Sequence, residues 1–317
     1  MRIAILGATS EIAKDLILSF SKSSTNELIL FGRDSVVIEA WCKKVGIKDN
    51  FQCLDYQKFD TSVIYDAIIN FVGSGNPAKT LAMGSTIFDI NQKFDDIVLA
   101  YLKKYPYCRY LYMSSGAAYG SNFENPVNEK TKSLIDINDF QSRDYYSFSK
   151  LYSECRHRLL EDFLIVDIRI FNYFSSTQDL DSCFLIADIM RAILSNTLLT
   201  VSSDNIVRDF MHPHDFYQLI NAILCSKPVN DVVDAYTLSP VNKMSLLDSM
   251  RNNFGLQYAV SYSNVDVNSA RLKSNYFSLN KRAADFGYKP IFSSLSGILE
   301  QANEIFHQQR SLAGNTK

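Results

Sequence analysis

Long apolar runs are missing from this chain. No stretch of its 317 residues approaches the ~20 needed to span a bilayer, so no membrane contact is expected. One-sided charge is missing as well. Lys and Arg number 32 against 34 Asp and Glu, a formal charge of −2, and no basic field invites nucleic acid. The start lacks an unbroken apolar segment, because Glu11, Lys14 and Asp15 interrupt it, and no signal peptide is expected. None of the six cysteines (42, 53, 108, 155, 183, 225) forms a Cys-x-x-Cys pair. They read as free thiols in a reducing compartment, which places the protein in the cytoplasm. His212-x-His214 has no nearby Cys or further His to complete a ligand set, so no metal is expected. No internal repeat is found.

What is present suits a folded chain. Tyr and Phe number 18 and 21, which excludes a disordered chain. The length suffices for a large domain, or a domain and a half, with a sizeable core. Short apolar runs recur at Met1–Leu6, Glu27–Phe31, Phe51–Leu54, Ala67–Val72, Tyr110–Met113 and Leu164–Ile170. Helical periodicity separates them, as in Ile90, Phe94, Ile97, Val98 and Tyr101. Strands alternating with helices predict an α/β fold, a doubly wound parallel sheet. Val232–Leu238 reads as a further strand returning to that sheet. Helices are expected near Cys183–Ser195, Phe216–Cys225, Ser245–Phe254 and Leu295–Gln308. The Ser-rich segment Ser21–Asn26 reads as a turn, and the tail after Gln309 has no periodicity. Residues 1–172 are expected to form a Rossmann domain, joined by the returning strand near 232–238. Residues 173–317 then form mainly a smaller, mixed α/β substrate-binding lobe.

Two motifs carry chemistry. Tyr146 and Lys150 are four residues apart, so a helix puts them on one face. An ammonium beside a phenol favours the phenolate, and such a phenol can exchange protons with a sugar or alcohol oxygen. Ser115, in Ser114-Ser115-Gly116-Ala117-Ala118-Tyr119-Gly120, supplies a hydroxyl that could steady the same oxygen. The second motif is Gly7-Ala8-Thr9-Ser10-Glu11-Ile12-Ala13, set between a strand and a helix. Strand, small-residue turn and helix is the context of a dinucleotide-binding turn. Gly7 permits the sharp turn, and small residues at 10 and 13 permit close approach and packing. The helix N-terminus then offers free N–H groups to a pyrophosphate.

Together these segments resemble the extended short-chain dehydrogenase/reductases of the nucleotide-sugar epimerase/dehydratase group, along nearly the whole chain. Gly7, Ser10 and Ala13 match the phosphate turn, with Ser and Ala replacing two glycines. The cofactor would then meet Gly7, Thr9, Ser10, Glu11 and Ile12. Asp55 matches the acid that contacts adenine, and Val72 and Gly73, in Asn70-Phe71-Val72-Gly73, match the turn beneath the nicotinamide ribose. Ser115, Tyr146 and Lys150 match the catalytic triad, with Tyr146 and Lys150 also touching cofactor and Ser115 the substrate. Asn172 and Arg208, the latter in Arg208-Asp209-Phe210, match residues that hold the sugar nucleotide; Ser175 stands where a glycine is usual. Leu279–Ala283 and Phe286–Pro290 resemble the carboxy-terminal motif. The resemblance implies a homodimer joined through the helices near Ile90–Tyr101 and Tyr146–Leu160.

Cofactor and reaction type follow from local chemistry. Phe31-Gly32-Arg33-Asp34 places no acid at the end of the second strand, where one would bond a ribose 2′-hydroxyl. Arg33 offers a planar fork for a 2′-phosphate, which favours NADP over NAD. Dehydrating relatives carry Asp-Glu straight after the catalytic hydroxyl residue, whereas Gly116 and Ala117 stand here. The expected activity is an NADPH-dependent reduction of a keto sugar on a nucleoside diphosphate. Hydride passes to the carbonyl carbon, Tyr146 protonates the oxygen, Lys150 holds ribose and Ser115 bonds the substrate. The alternatives are an NAD-dependent nucleotide-sugar epimerase and a non-catalytic NADP-binding regulatory protein. The substrate loops would be 73–80, 121–144 and 172–181.

Overall fold

The computed structural model describes residues 1–22, 26–47, 51–73, 80, 82–262 and 273–314, with side chains to residue 310. Parts of the expected turn at 21–26 and of the loop at 73–80, and the last three residues, lie outside the described residues. Among the described residues, seven strands form one parallel sheet. They are β1 (Arg2–Leu6), β2 (Glu27–Gly32), β3 (Phe51–Asp55), β4 (Ala67–Asn70), β5 (Arg109–Ser115), β6 (Ile165–Ile170) and β7 (Asp231–Asp234). Their spatial order is β3-β2-β1-β4-β5-β6-β7, and every pairing is parallel. The order reverses between β1 and β4, and in such sheets ligands bind at that crevice, outside the carboxyl ends of the strands.

The sheet is apolar on both faces because helices cover both. Ile3, Ile5, Leu28 and Leu30 face a core shared with α1 (Glu11–Ser21), α2 (Ser35–Lys44) and α6 (Pro213–Cys225). Ala4, Leu6, Ile29 and Phe31 face the opposite core, built with α3 (Thr86–Lys104), and α4 (Tyr145–Arg158) lies beside α3. A third cluster joins α5 (Leu185–Ser195), α7 (Lys243–Phe254) and α8 (Ser294–Gly314). Residues beyond 172 therefore enter two cores. Phe216, Leu219 and Val233 pack with the sheet, whereas Ile189, Leu247 and Ile298 pack together.

Three expectations change. The returning strand ends at Asp234, not at residue 238: Ala235 N still donates to the Arg169 carbonyl of β6 at 2.9 Å, but the groups beyond it bond elsewhere. Thr237 N donates to Asp209 Oδ2 at 3.1 Å, and Leu238 N to the Phe292 carbonyl at 2.8 Å. The last helix runs to Gly314, past the point where periodicity fades. Helix α2 is an addition, started by Asp34, whose carboxylate accepts from Val36 N at 2.9 Å.

Register places the site. Leu6 is level with Phe31 on one side and Asn70 on the other, while β5 continues three residues beyond Tyr112, the partner of Asn70. Ser115 thus projects past the end of β4, above the crevice.

Candidate active site

The floor of the crevice is made by two turns in contact. After β1, Gly7 adopts φ +78°, a region that favours glycine. A Cβ there would stand 2.9 Å from the Phe71 carbonyl carbon, so the turn after β4 leaves no room for one. Gly7 N and Ala8 N both donate to the Phe31 carbonyl at 3.1 Å, which folds the turn over β2. Ser10 caps α1, its hydroxyl accepting from Ala13 N at 3.2 Å. A helix N-terminus placed in this way favours an anion. Thr9 is exposed and its methyl lies 3.8 Å from a Cβ position on Gly32. Two neighbours in the motif turn elsewhere. Glu11 accepts from Asp179 N at 3.1 Å, and Ile12 packs against the core.

Past β2, Arg33 is exposed and forms no ion pair with a described residue, Asp34 included. Asp55 accepts from Ser35 N at 2.7 Å, tying the end of β3 to the start of α2. Tyr56 follows, its phenol pushed up by burial and pulled back by Gly7 N–H and the Arg33 charge. Arg33, Asp55, Thr9 and Gly7 thus gather at one end of the crevice.

At the other end α4 delivers Tyr146 and Lys150 and β5 delivers Ser115. Lys150 is buried, and desolvation pushes it down to about 8 against the opposing pull of Glu154, Asp95 and Asp167. Its ammonium donates to the Met113 carbonyl at 2.8 Å and to Tyr112 Oη at 3.2 Å. It stands 6.0 Å from the centre of the half-buried Tyr146 ring. The expected lowering of the Tyr146 phenol is therefore not found. Burial raises it, and the Ser115 hydroxyl only partly offsets that. Ligand-free Tyr146 is a neutral phenol, a proton donor.

Gly73 joins this group. A Cβ at residue 73 would lie 3.6 Å from Lys150 Nζ and 3.0 Å from Asn91 Oδ1. Val72 is held by Asn70, whose Oδ1 accepts from Val72 N at 2.9 Å. Asn91, on α3, escapes sequence reasoning because it lies within an amphipathic stretch. It is 2% exposed, and its amide donates to Ser149 Oγ at 2.9 Å. Among the described residues nothing donates to its Oδ1, a buried acceptor beside the floor that a ligand hydroxyl or amide would satisfy.

Ser115 is also met from the far part of the chain. Tyr276 Oη lies 3.3 Å from Ser115 Oγ, and its ring packs on Phe123 and Phe171 at 4.6 and 5.2 Å. Arg208 stands 5.9 Å from the Tyr276 ring and donates to the carbonyls of Val207, Lys273 and Ser274. Asn172 donates to the Asp209 carbonyl at 3.2 Å. Arg208 is therefore brought to the triad through Tyr276, while Asn172 is tied to the neighbouring segment, where it pairs in parallel with Phe210. Tyr276 was not a sequence candidate, and 161 residues separate it from Ser115. Next to Ser115, Gly116 lies against the ring of Phe171.

Behind the triad is a charged layer. His157, with no exposed surface, bridges Asp167 at 2.6 Å and Asp95 at 2.8 Å. Burial opposes its charge, but Asp167 and Asp95 outweigh it and raise the imidazole to about 10. Among the described residues, no cluster of His, Cys, Asp and Glu could hold a metal ion, and no helix is long and apolar enough to cross a membrane.

The residues present fit a nicotinamide dinucleotide. Gly7 lets the turns after β1 and β4 close on each other, α1 begins at the crevice where its N-terminus suits phosphate, and among the described residues nothing donates to Asn91 Oδ1. A search of curated protein sequences finds no match. A family model described as "NAD dependent epimerase/dehydratase family" matches residues 3–236. Among solved structures, the chain is similar to a UDP-glucose-4-epimerase from Stenotrophomonas maltophila with bound NAD and formylated UDP-arabinopyranose. Identity is 15%, with 99% of each chain covered and a TM-score of 0.79. It is similar to a UDP-glucose 4-epimerase with UDP-glucose from Thermotoga maritima, at 16% identity, 98% of this chain and 99% of that one, TM-score 0.78. A dTDP-glucose 4,6-dehydratase from Bacillus anthracis in complex with NAD aligns at 15% identity, 97% of each chain, TM-score 0.76. At these identities the likeness establishes the shared fold.

Proposed function

The chain belongs to the NAD dependent epimerase/dehydratase family, and we propose that it is a nucleotide-sugar epimerase that retains NAD through its catalytic cycle. The observation that carries this reading is the contact between Gly116 and Phe171. Water elimination needs an acid and a base beside the catalytic hydroxyl; here that place is filled by an aromatic ring and two small residues. Hydride exchange at one carbon, with proton exchange at its oxygen, is what Ser115, Tyr146 and Lys150 support. The UDP-sugar epimerases among the structural neighbours point the same way.

When bound, the nicotinamide supplies the hydride acceptor and donor. Tyr146 moves the proton at the sugar oxygen, and Ser115 holds that oxygen by hydrogen bond. Lys150 orients the ribose, and its positive charge favours the phenolate when Tyr146 serves as base. Gly7, Ser10 and the start of α1 hold the phosphates, Asp55 and Arg33 flank the adenosine, and Val72 and Gly73 form the floor. Arg208 and Asn172 face the nucleotide sugar. Residues 1–172 with β7 serve the cofactor, and the remainder mainly serves the sugar nucleotide.

A second reading, NADPH-dependent reduction of a nucleotide-linked keto sugar, is favoured by two observations. Arg33 is unpaired among the described residues where a 2′-phosphate would lie, and Tyr146 is a proton donor in the ligand-free state. The deciding experiment is mass spectrometry of small molecules released from purified protein, followed by assay. Conversion of UDP-sugars to C4 epimers with no added cofactor supports the epimerase. Stoichiometric NADPH oxidation with a 4-keto sugar, and no epimer formed, overturns it.

A further inference from the structure

We propose that Tyr112 is the positioning residue of Lys150, fixing its ammonium so that one N–H remains for the ligand above Gly73. The proposal rests on the reading that Lys150 works at the reacting centre. Lys150 has three N–H donors and no acceptor. The Met113 carbonyl takes one at 2.8 Å and Tyr112 Oη takes another at 3.2 Å. Among the described residues no acceptor takes the third, and Gly73 is close by, a Cβ there standing 3.6 Å from Nζ.

Tyr112 is suited to this because it cannot move. It has no exposed surface, and its ring meets Tyr110 and His157 edge-on at 6.2 and 5.2 Å. Its hydroxyl accepts from Lys150 and donates to Ser153 Oγ at 3.3 Å. Lys150 and Ser153 are one turn apart on the inner face of α4, so two positions of that helix grip one phenol of β5. Burial holds the Tyr112 phenol well above its ordinary range, so it stays neutral. A phenylalanine at 112 would fill the same space and hold nothing.

Tyr112 also bears on the charge of Lys150. The groups acting on that ammonium are Tyr112 and the Met113 carbonyl on β5, Tyr146 and Glu154 on α4, Asp95 on α3 and Asp167 on β6. The three carboxylates act through space; Tyr112 touches.

The test is competitive acetylation of the ligand-free protein with acetic anhydride across pH, reading the Lys150 peptide by mass spectrometry. In Tyr112→Phe, the midpoint of Lys150 reactivity should fall by roughly 1–2 pH units, the scale of one hydrogen bond to a charged group. Ser153→Ala, which frees the Tyr112 hydroxyl from its anchor, should shift it the same way by less. Tyr101→Phe, a buried phenol bonded to Tyr65 N and the Val63 carbonyl, should leave it in place. The alkaline limb of kcat/KM should move with the acetylation midpoint. An unchanged midpoint in both Tyr112→Phe and Ser153→Ala overturns the proposal, even with an active enzyme. A shifted midpoint in a protein that turns over no nucleotide sugar would keep the tether and sink the functional reading instead.

Discussion

Gly116 and Phe171 occupy one space: a Cβ on Gly116 would stand 2.4 Å from Phe171 Cδ1 and 2.5 Å from Cε1. The ring is held by Tyr119, Phe123 and Tyr276 and cannot swing clear. Gly116→Asp should therefore lose about 1–3 kcal/mol of stability, the usual scale of overpacking. It should yield no dehydrated product. Adding Phe171→Leu should recover part of the loss, because residues in contact do not act additively. Chemical denaturation of the two single variants and the double variant measures this; strict additivity would show that the pair is not coupled.

Tyr146→Phe should keep fold and cofactor binding but cut turnover at least ~100-fold, the scale of a general acid–base group. Tyr145 is the comparison. It packs on Phe140 at 5.6 Å, away from Ser115, and Tyr145→Phe should stay active. Steady-state kinetics of both variants decide it, and the reverse pattern would reassign the acid.

The sheet was legible because its strands are short, apolar and bounded. Helix α2 was not, because it buries little beyond Ile38 and Cys42 while Val36 and Val37 stand 70% and 54% exposed. With apolar residues on the solvent face, its periodicity is blurred. In α3, charge reads as solvent-facing, yet Asp95 has no exposed surface and Asn91 is 2% exposed. Both face polar partners supplied by α4 and the sheet, which no local pattern announces. Tyr146 and Lys150 were paired by their spacing, and Ser115 was joined to them by the family resemblance. Tyr112, Asn91 and Tyr276 act through single polar atoms set by tertiary packing.

His157 makes stability depend on pH. Its folded value is raised to about 10 by Asp167 and Asp95 in spite of burial, whereas an unfolded histidine titrates near ~6.5. The stabilisation is fully present below that unfolded value and is lost as pH rises toward 10. Wild-type stability should fall across this window, and in His157→Leu that fall should be absent. The variant itself should lose roughly 3–5 kcal/mol at pH 7, since two buried carboxylates lose their partner. Thermal unfolding against pH measures both; identical slopes would show that His157 is not the titrating group.

Arg33→Ala separates the cofactors. If the guanidinium meets a 2′-phosphate, NADPH binding should weaken about ten- to a hundredfold and NADH binding should stay nearly unchanged. An NAD enzyme should bind NADH more tightly from the outset and lose little from the substitution. Titration of both cofactors at one ionic strength distinguishes these, because exposed charge is screened by salt.

Assembly gives the last test. Phe88, Phe148 and Tyr152 form a half-buried aromatic patch across α3 and α4, with Phe88 centred 5.4 Å from Phe148 and 5.3 Å from Tyr152. A twofold pairing of these helices should give a dimer at micromolar concentration in sedimentation. Phe148→Glu should then give a folded monomer; a wild-type monomer would rule the pairing out.

Strand β7 has a consequence for how the molecule is made. It seals the flank of β6 with residues 231–234, delivered only after α5 and α6. While the ribosome is still adding those residues, the backbone of β6 presents an unpaired edge, the kind of surface that recruits stray strands. Synthesis thus passes through an interval, about sixty residues long, in which six strands of the sheet are built but its edge is not yet closed.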